Sequence, residues 1–251
     1  MRPALLAVAH GSPDPRHAET IEALLERVRA AAPGLAVAAG YLDHHEEGVR
    51  QAAGRLVAAG HGSVVAVPLL LTAAYHAGAD LPARVAQVRS RWPGLRIRSA
   101  PVLGYDELLL DACERRLRQV GAEPDRSVPV LASAGSSAPA AAATMAQLAT
   151  GLQTRGWSRP VLAYASARQP GVAAAVTGAR AAGATEVAVV RCFLAPGVLP
   201  DRVAHAAAGA DRITEVLGAA PELARLVLRR YGQAVAERDG TGVSGTGRRA
   251  V

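Results

Sequence analysis

Ala9-His10-Gly11-Ser12 and Ser133-Ala134-Gly135-Ser136 are one passage written twice, and the likeness continues outward from both. Tyr41 to Leu71 lines up with Tyr164 to Leu194 at a constant offset of 123 residues, without a gap. In that register Gly48 meets Gly171, Ala58-Ala59-Gly60 meets Ala181-Ala182-Gly183, and Val64 and Val67 meet Val187 and Val190. After Leu71 the copies part and rejoin five residues out of step, with Leu81-Pro82 opposite Leu199-Pro200 and Arg84-Val85-Ala86 opposite Arg202-Val203-Ala204. The extra residues lie in Thr72–Asp80, which contains His76, and His10 is answered by Ala134. A duplicated fold that keeps its histidines in one copy predicts one working site and one structural partner.

Periodicity supplies the architecture. Ala4–Ala9, Leu35–Tyr41, Ser63–Leu71 and Leu95–Ala100 are short apolar runs that read as strands. Helical stretches lie between them at His17–Ala31, Glu46–Ala59 and Pro82–Arg91, and Asp106–Val120 closes the copy. In the first of these Ile21, Leu24, Leu25 and Val28 share a face, with Glu22, Glu26, Arg27 and Arg29 away from it. The second copy repeats the order, with strands at Val128–Ser133, Val161–Tyr164, Glu186–Leu194 and Arg212–Leu217. Its helices fall at Pro139–Arg155, Gly171–Ala182, Pro200–Ala208 and Pro221–Ala236. Continuous apolar strands alternating with helices mean parallel sheets covered on both faces. The expected fold is α/β, two tandem doubly wound four-stranded units with a cleft between them. Residues 1–122 form the first unit and 123–236 the second, joined through the turn-rich Gly121-Ala122-Glu123-Pro124-Asp125. Residues 237–251 have no apolar face to bury and read as a disordered tail.

Composition narrows the function classes. Aromatics make up 3% of 251 residues, so the core must be built from Ala, Val and Leu. The net charge of +7 comes from arginine alone, since the chain has no lysine. The arginines are scattered over helix faces without interleaved aromatics, which argues against nucleic-acid binding and suits an acidic small molecule. Cys113 and Cys192 are too few for a disulfide framework and read as small buried hydrophobes, one on a helix and one in a strand. The apolar start is too short for a signal sequence, and no stretch reaches the length of a membrane span. A soluble cytoplasmic protein is expected, with a monomer favoured because both halves of the cleft lie on one chain.

Ligands of such sheets sit at the carboxyl ends of the strands. His10 directly follows the first strand, His76 lies in the loop after the third, and Asp43 follows the second. All three therefore meet at one sheet edge. Two imidazoles with a carboxylate suit a borderline divalent ion such as Co²⁺, Fe²⁺ or Ni²⁺. They equally suit proton transfer near neutral pH.

Leu6-Ala7-Val8-Ala9-His10-Gly11-Ser12-Pro13-Asp14-Pro15-Arg16 resembles the amino-terminal signature of the sirohydrochlorin chelatases, the class II chelatases of cobalamin and sirohaem synthesis. Pro68-Leu69-Leu70-Leu71 followed by His76-Ala77-Gly78-Ala79-Asp80-Leu81-Pro82 resembles their second histidine loop. Tyr41-Leu42-Asp43 stands where the family usually carries Phe-Leu-Glu, so this chain has the shorter acid. Phe193-Leu194-Ala195-Pro196-Gly197-Val198-Leu199-Pro200-Asp201-Arg202-Val203 is similar to the long, two-copy members. The resemblance implies insertion of Co²⁺ or Fe²⁺ into sirohydrochlorin without ATP, with the metal as substrate. It makes His10 and His76 joint metal ligands and proton acceptors, and has Asp43 orient an imidazole or relay the proton. A non-catalytic tetrapyrrole or metal carrier using the same cleft is the alternative. A nucleotide-dependent enzyme is disfavoured, because neither first strand leads into a Gly-x-Gly-x-x-Gly turn and a chain without lysine has no Walker loop.

Blander roles stand beside these. His10 could cap its turn, and Asp43 could be a helix N-cap. Gly11 and Ser12 could only shape the turn, as Gly135-Ser136 suggests, or Ser12 could position substrate. His44, His45 and Glu46 could share the role of Asp43. His17, His61 and His205 read as surface residues, and Arg225-Leu226-Val227-Leu228-Arg229-Arg230 as a solvated face of the last helix.

Overall fold

The computed structural model describes residues 2–72, 80–166 and 168–237. His76, and the tail from residue 238 onward, lie outside the described residues. Among the described residues the elements alternate strand and helix in chain order. The first copy runs β1 (Ala4–Ala9), α1 (Pro15–Ala31), β2 (Val37–Tyr41), α2 (Val49–Ala58), β3 (Ser63–Pro68), α3 (Leu81–Arg91), β4 (Arg96–Ser99) and α4 (Glu107–Gln119). The second runs β5 (Ser127–Ser133), α5 (Pro139–Thr154), β6 (Val161–Tyr164), α6 (Val172–Ala181), β7 (Glu186–Arg191), α7 (Val198–Ala206), β8 (Arg212–Ile213) and α8 (Pro221–Ala236).

Each copy forms its own parallel sheet, in the orders β2-β1-β3-β4 and β6-β5-β7-β8. Strand residues alternate between two buried layers: Leu5, Ala7 and Ala9 of β1 enter one apolar cluster, while Ala4, Leu6 and Val8 enter another. Both faces of the sheet are therefore covered, as a continuous apolar strand requires. One outer cluster belongs to each copy, but the inner cluster is shared, joining Leu5 and Leu25 to Leu131, Leu148 and Leu152.

The shared layer comes from an exchange of last helices. α4 of the first copy packs against β7 and α5 of the second, while α8 packs against α1 and β3 of the first. Polar contacts pin the exchange at both ends. Arg155, the C-cap of α5, pairs with Glu107, Asp111 and Glu114 of α4. From α8, the Tyr231 hydroxyl donates to the Pro3 carbonyl at 2.6 Å, and Arg98 donates to the Ala234 carbonyl at 3.1 Å.

Two expectations are corrected here. The Arg225–Arg230 run is only in part a solvated face: Arg225 and Arg229 are exposed, but Leu226 and Val227 are fully buried and Arg230 is 8% exposed. Arg230 donates to the carbonyls of Val102 and Leu103 and pairs with Asp106, which also receives Arg229 at 2.6 Å. α8 keeps one exposed edge at Arg225, Arg229 and Gln233, while its other sides are buried against α1 and α4. Cys192 lies just after β7 rather than within it, and its buried thiol meets Cys113 of α4, so residues from different halves touch in the shared layer. Contact with that thiol and burial together push the Cys192 thiol well up.

Some boundaries also shift, for local reasons. α1 starts two residues before the expected His17, because Asp14 accepts from the Arg16 amide and Pro15 sits in the first turn, where its missing N–H costs nothing. β8 stops at Ile213 because Thr214 turns to serve β7, its hydroxyl accepting from the Arg191 amide at 3.2 Å.

Asp106 caps α4 through the Leu108 amide and neutralises a buried arginine. Asp106→Ala is expected to cost about 3 kcal/mol or more in unfolding free energy, since it leaves a buried charge unpaired and removes a cap. Urea denaturation followed by circular dichroism measures the loss, which should be smaller for Asp106→Asn.

Candidate active site

The chain leaves β1 between its two neighbours, β2 and β3, so residues just after Ala9 open into the crevice where the strand order reverses. Gly11 makes that exit possible. Its φ is +95°, and a Cβ there would lie 1.8 Å from the Asp43 carbonyl, so only glycine fits. The close approach is held by the Asp43 amide, which donates to the His10 carbonyl at 2.9 Å. His10 is half-buried, with Nδ1 2.9 Å from the Gly11 carbonyl. If Nδ1 donates there, Nε2 carries the lone pair that a metal or proton needs.

Ser12 accepts from the Asp14 amide at 3.2 Å, and Ser136 accepts from the Ala138 amide at 3.1 Å in the same way. Shaping the turn is thus a role both serines share. Ser12 also lines the cleft, close to Gly197 of the second copy.

Asp43 stands at the same sheet edge, but its carboxylate turns to His44. It accepts from the His44 amide at 2.9 Å, and the His44 ring lies 3.5 Å away. Asp43 is not a helix N-cap, because Gly48 begins α2. His44 adopts a left-handed φ of 55° and faces the cleft, with Asp43 behind it. The expected carboxylate–imidazole pair is present, but its imidazole is His44.

His17, read from the sequence as a surface residue, is instead half-buried on the first turn of α1 and faces the cleft. Its ring meets Tyr41 at 6.2 Å, and Tyr41 stacks on His45 at 4.1 Å. Burial lowers the His17 pKa, and the neighbouring His10 and His45 lower it further against the opposing pull of Asp14. Its place in sequence did carry a signal: a histidine in the first turn of a helix that starts at the crevice is aimed at the crevice. His61 and His205 lie away from this cleft, and His205 Nδ1 is engaged by the Asp201 carbonyl at 2.7 Å.

The cleft itself has a volume of about 710 Å³ and draws on both copies. Leu69, Leu70 and Leu71 form one apolar wall, and Met145, Phe193 and Leu199 the other. Val198, at 63% exposure, stands at its mouth. Arg16 ties the two copies together, pairing with Asp14 of its own copy and with Asp201 of α7 at 2.6 Å. Among the described residues, no group of three or more His, Cys, Asp or Glu converges as a metal site, and no helix is long and apolar enough to cross a membrane.

The CbiX family model matches residues 4–120 and again 129–234, once for each copy. A sirohydrochlorin ferrochelatase of Bacillus subtilis (strain 168) is 31% identical over 139 residues, a segment covering 55% of this chain and 53% of that protein. The first relative is thus matched over about half its length. A sirohydrochlorin ferrochelatase of Priestia megaterium is 25% identical over 202 residues, 80% of this chain and 76% of that protein. Among solved structures, SirB from Bacillus subtilis with Fe³⁺ superposes with a TM-score of 0.84 at 24% identity, covering 96% of this chain and 98% of that one. The two-sheet α/β fold is therefore that of a chelatase.

Proton NMR should find the His17 imidazole titrating below 6.5, and His10→Ala should move the midpoint up by removing a like charge. The shift should be partial, because burial, the larger cause, remains. The sign for stability follows. A histidine whose folded pKa lies below its unfolded value disfavours protonation in the fold, so its effect on stability appears as a loss when pH falls below about 6.5.

Proposed function

Because the chain belongs to the CbiX family, we propose that it inserts a divalent metal ion, Co²⁺ or Fe²⁺, into sirohydrochlorin without ATP. The single observation that carries this reading is His10, held at the strand-order reversal of a family-matched copy and facing an apolar cleft sized for a large ligand. A cleft of some hundreds of Å³ with few polar groups suits a flat macrocycle. The metal and the macrocycle are both substrates.

Metal entry displaces two pyrrole protons, so the site must offer a metal ligand beside a proton acceptor. Neutral imidazole serves in either role, and its affinity for metal rises as it loses its proton. In this reading His10 and His76 hold the incoming ion and accept the protons. The Asp43–His44 pair, with His44 on the cleft and the carboxylate behind it, passes protons outward. The depressed pKa of His17 keeps a neutral base close to His10 near neutral pH. Residues 1–122 would then carry the chemistry, and residues 123–236 would supply the far wall as a degenerate copy. Ni²⁺ fits the same donors, and the supply of metal decides among these ions.

The test is the anaerobic absorbance change of sirohydrochlorin with Co²⁺, and separately Fe²⁺. Wild type is expected to catalyse the shift to the metallated spectrum. His10→Ala and His76→Ala should each lose at least about 100-fold in rate, and Asp43→Asn should lose less. Stoichiometric binding at the protein-free insertion rate would replace the enzyme with a carrier. Full activity in both histidine variants would overturn the site.

A further inference from the structure

The second copy's edge of the cleft is as informative as the first. The two edges share one backbone framework. The Ser166 amide donates to the Ala134 carbonyl at 3.0 Å, as the Asp43 amide does to His10. Gly135 has a φ of +89°, and a Cβ there would lie 2.0 Å from the Ser166 carbonyl, the counterpart of Gly11 against Asp43. Residues can therefore be compared place by place.

On that frame the second copy has exchanged its chemistry rather than merely lost it. His10 becomes Ala134 and Asp14 becomes Ala138. The loop Asp43-His44-His45-Glu46-Glu47 becomes Ser166-Ala167-Arg168-Gln169-Pro170. Four carboxylates have gone, and the single charged residue that replaces the loop is an arginine. Arg168 lines the cleft together with Ser136, Tyr164 and Ser166. Among the described residues lining the cleft there is no aspartate or glutamate.

Arg168 is also held in place. It donates to the Ser136 carbonyl at 3.1 Å, and its guanidinium lies 5.5 Å from the centre of the Tyr164 ring. Among the described residues it forms no ion pair, whereas Arg155 and Arg230, also half-buried or buried, are tied to carboxylates. A guanidinium has five N–H donors in a planar fork, and the Ser136 carbonyl takes only one of its edges. From the geometry we infer that Arg168 is a substrate-specificity residue: it binds a carboxylate substituent of the macrocycle from the wall opposite His10 and thereby sets how the ring lies in the cleft. This rests on the chelatase reading of the site. In it the degenerate copy is the half that recognises the acid periphery, while the first copy handles the metal and protons.

The experiment compares wild type with Arg168→Ala, Arg168→Lys and Arg168→Glu. Steady-state metallation gives KM and kcat for sirohydrochlorin, fluorescence quenching gives its Kd, and calorimetry gives the Co²⁺ affinity. Losing one charge-assisted contact in a partly exposed cleft should raise KM and Kd for sirohydrochlorin about 10- to 30-fold in Arg168→Ala. Arg168→Lys should recover part of that loss and Arg168→Glu should exceed it, with Co²⁺ affinity as in wild type. The methyl ester of sirohydrochlorin, which has no free carboxylate, should bind wild type and Arg168→Ala alike. A wild-type KM and Kd in Arg168→Ala would overturn the inference while the chelatase stands, and so would equal losses of ester and acid binding. Wild type that binds sirohydrochlorin without turnover sinks the chelatase alone, and the Kd comparison still decides Arg168. Wild type that neither metallates nor binds sirohydrochlorin overturns both.

Discussion

The exchange of last helices is the constraint on which the molecule depends. A doubly wound sheet needs a helix layer on each face, and each copy here lends its last helix to the other. Leu109, Leu110 and Leu117 of α4 thereby share one buried cluster with Leu131 and Leu148 of the second copy, and with Leu223 and Val227 of α8. Burying that many apolar side chains, at about 1.5–3 kcal/mol each, welds the two sheets far more firmly than surface ion pairs could. The carboxyl edges of both sheets consequently line one cleft.

That geometry makes division of labour possible. Two related edges line the one cleft, and each can diverge as long as its turn is kept. Gly11 and Gly135 keep the turn in both, because nothing larger clears the carbonyl beneath. Around those glycines the side chains have parted. One edge holds imidazoles and a carboxylate, suited to an ion that must be held and to protons that must leave. The other edge is hydroxyl-lined and carries an arginine. In the proposed reading a single edge could not do both well, because a guanidinium beside the imidazoles would repel an incoming cation.

Most of the fold was legible in the sequence. Strands β1, β3 and β5 are buried on both faces, so they are written as plain apolar runs, and the 3.6-residue spacing of Ile21, Leu24, Leu25 and Val28 marks the buried face of α1. Misreadings cluster where burial depends on a distant element. Arg229 and Arg230 look like a solvated helix face, yet they close on Asp106, more than 120 residues earlier, because α8 crosses to the first copy. Cys113 and Cys192 belong to different halves in sequence and meet in the shared layer for the same reason. At the site, His10 was legible from its place after β1. The inward turn of His17 and the pairing of Asp43 with His44 were not, because both depend on side-chain directions that spacing does not encode.

By itself, the sequence determined the number and order of elements, the duplication, and which copy kept the imidazoles. Those properties are local: periodicity records which side of an element avoids water, and internal comparison records what each copy retained. Tertiary structure alone decided which helix covers which sheet, that Arg168 faces the same cleft as His10, and that His44 rather than Asp43 fronts it. An apolar stripe states that a face must be buried but carries no address for its partner, and only the packed chain supplies one.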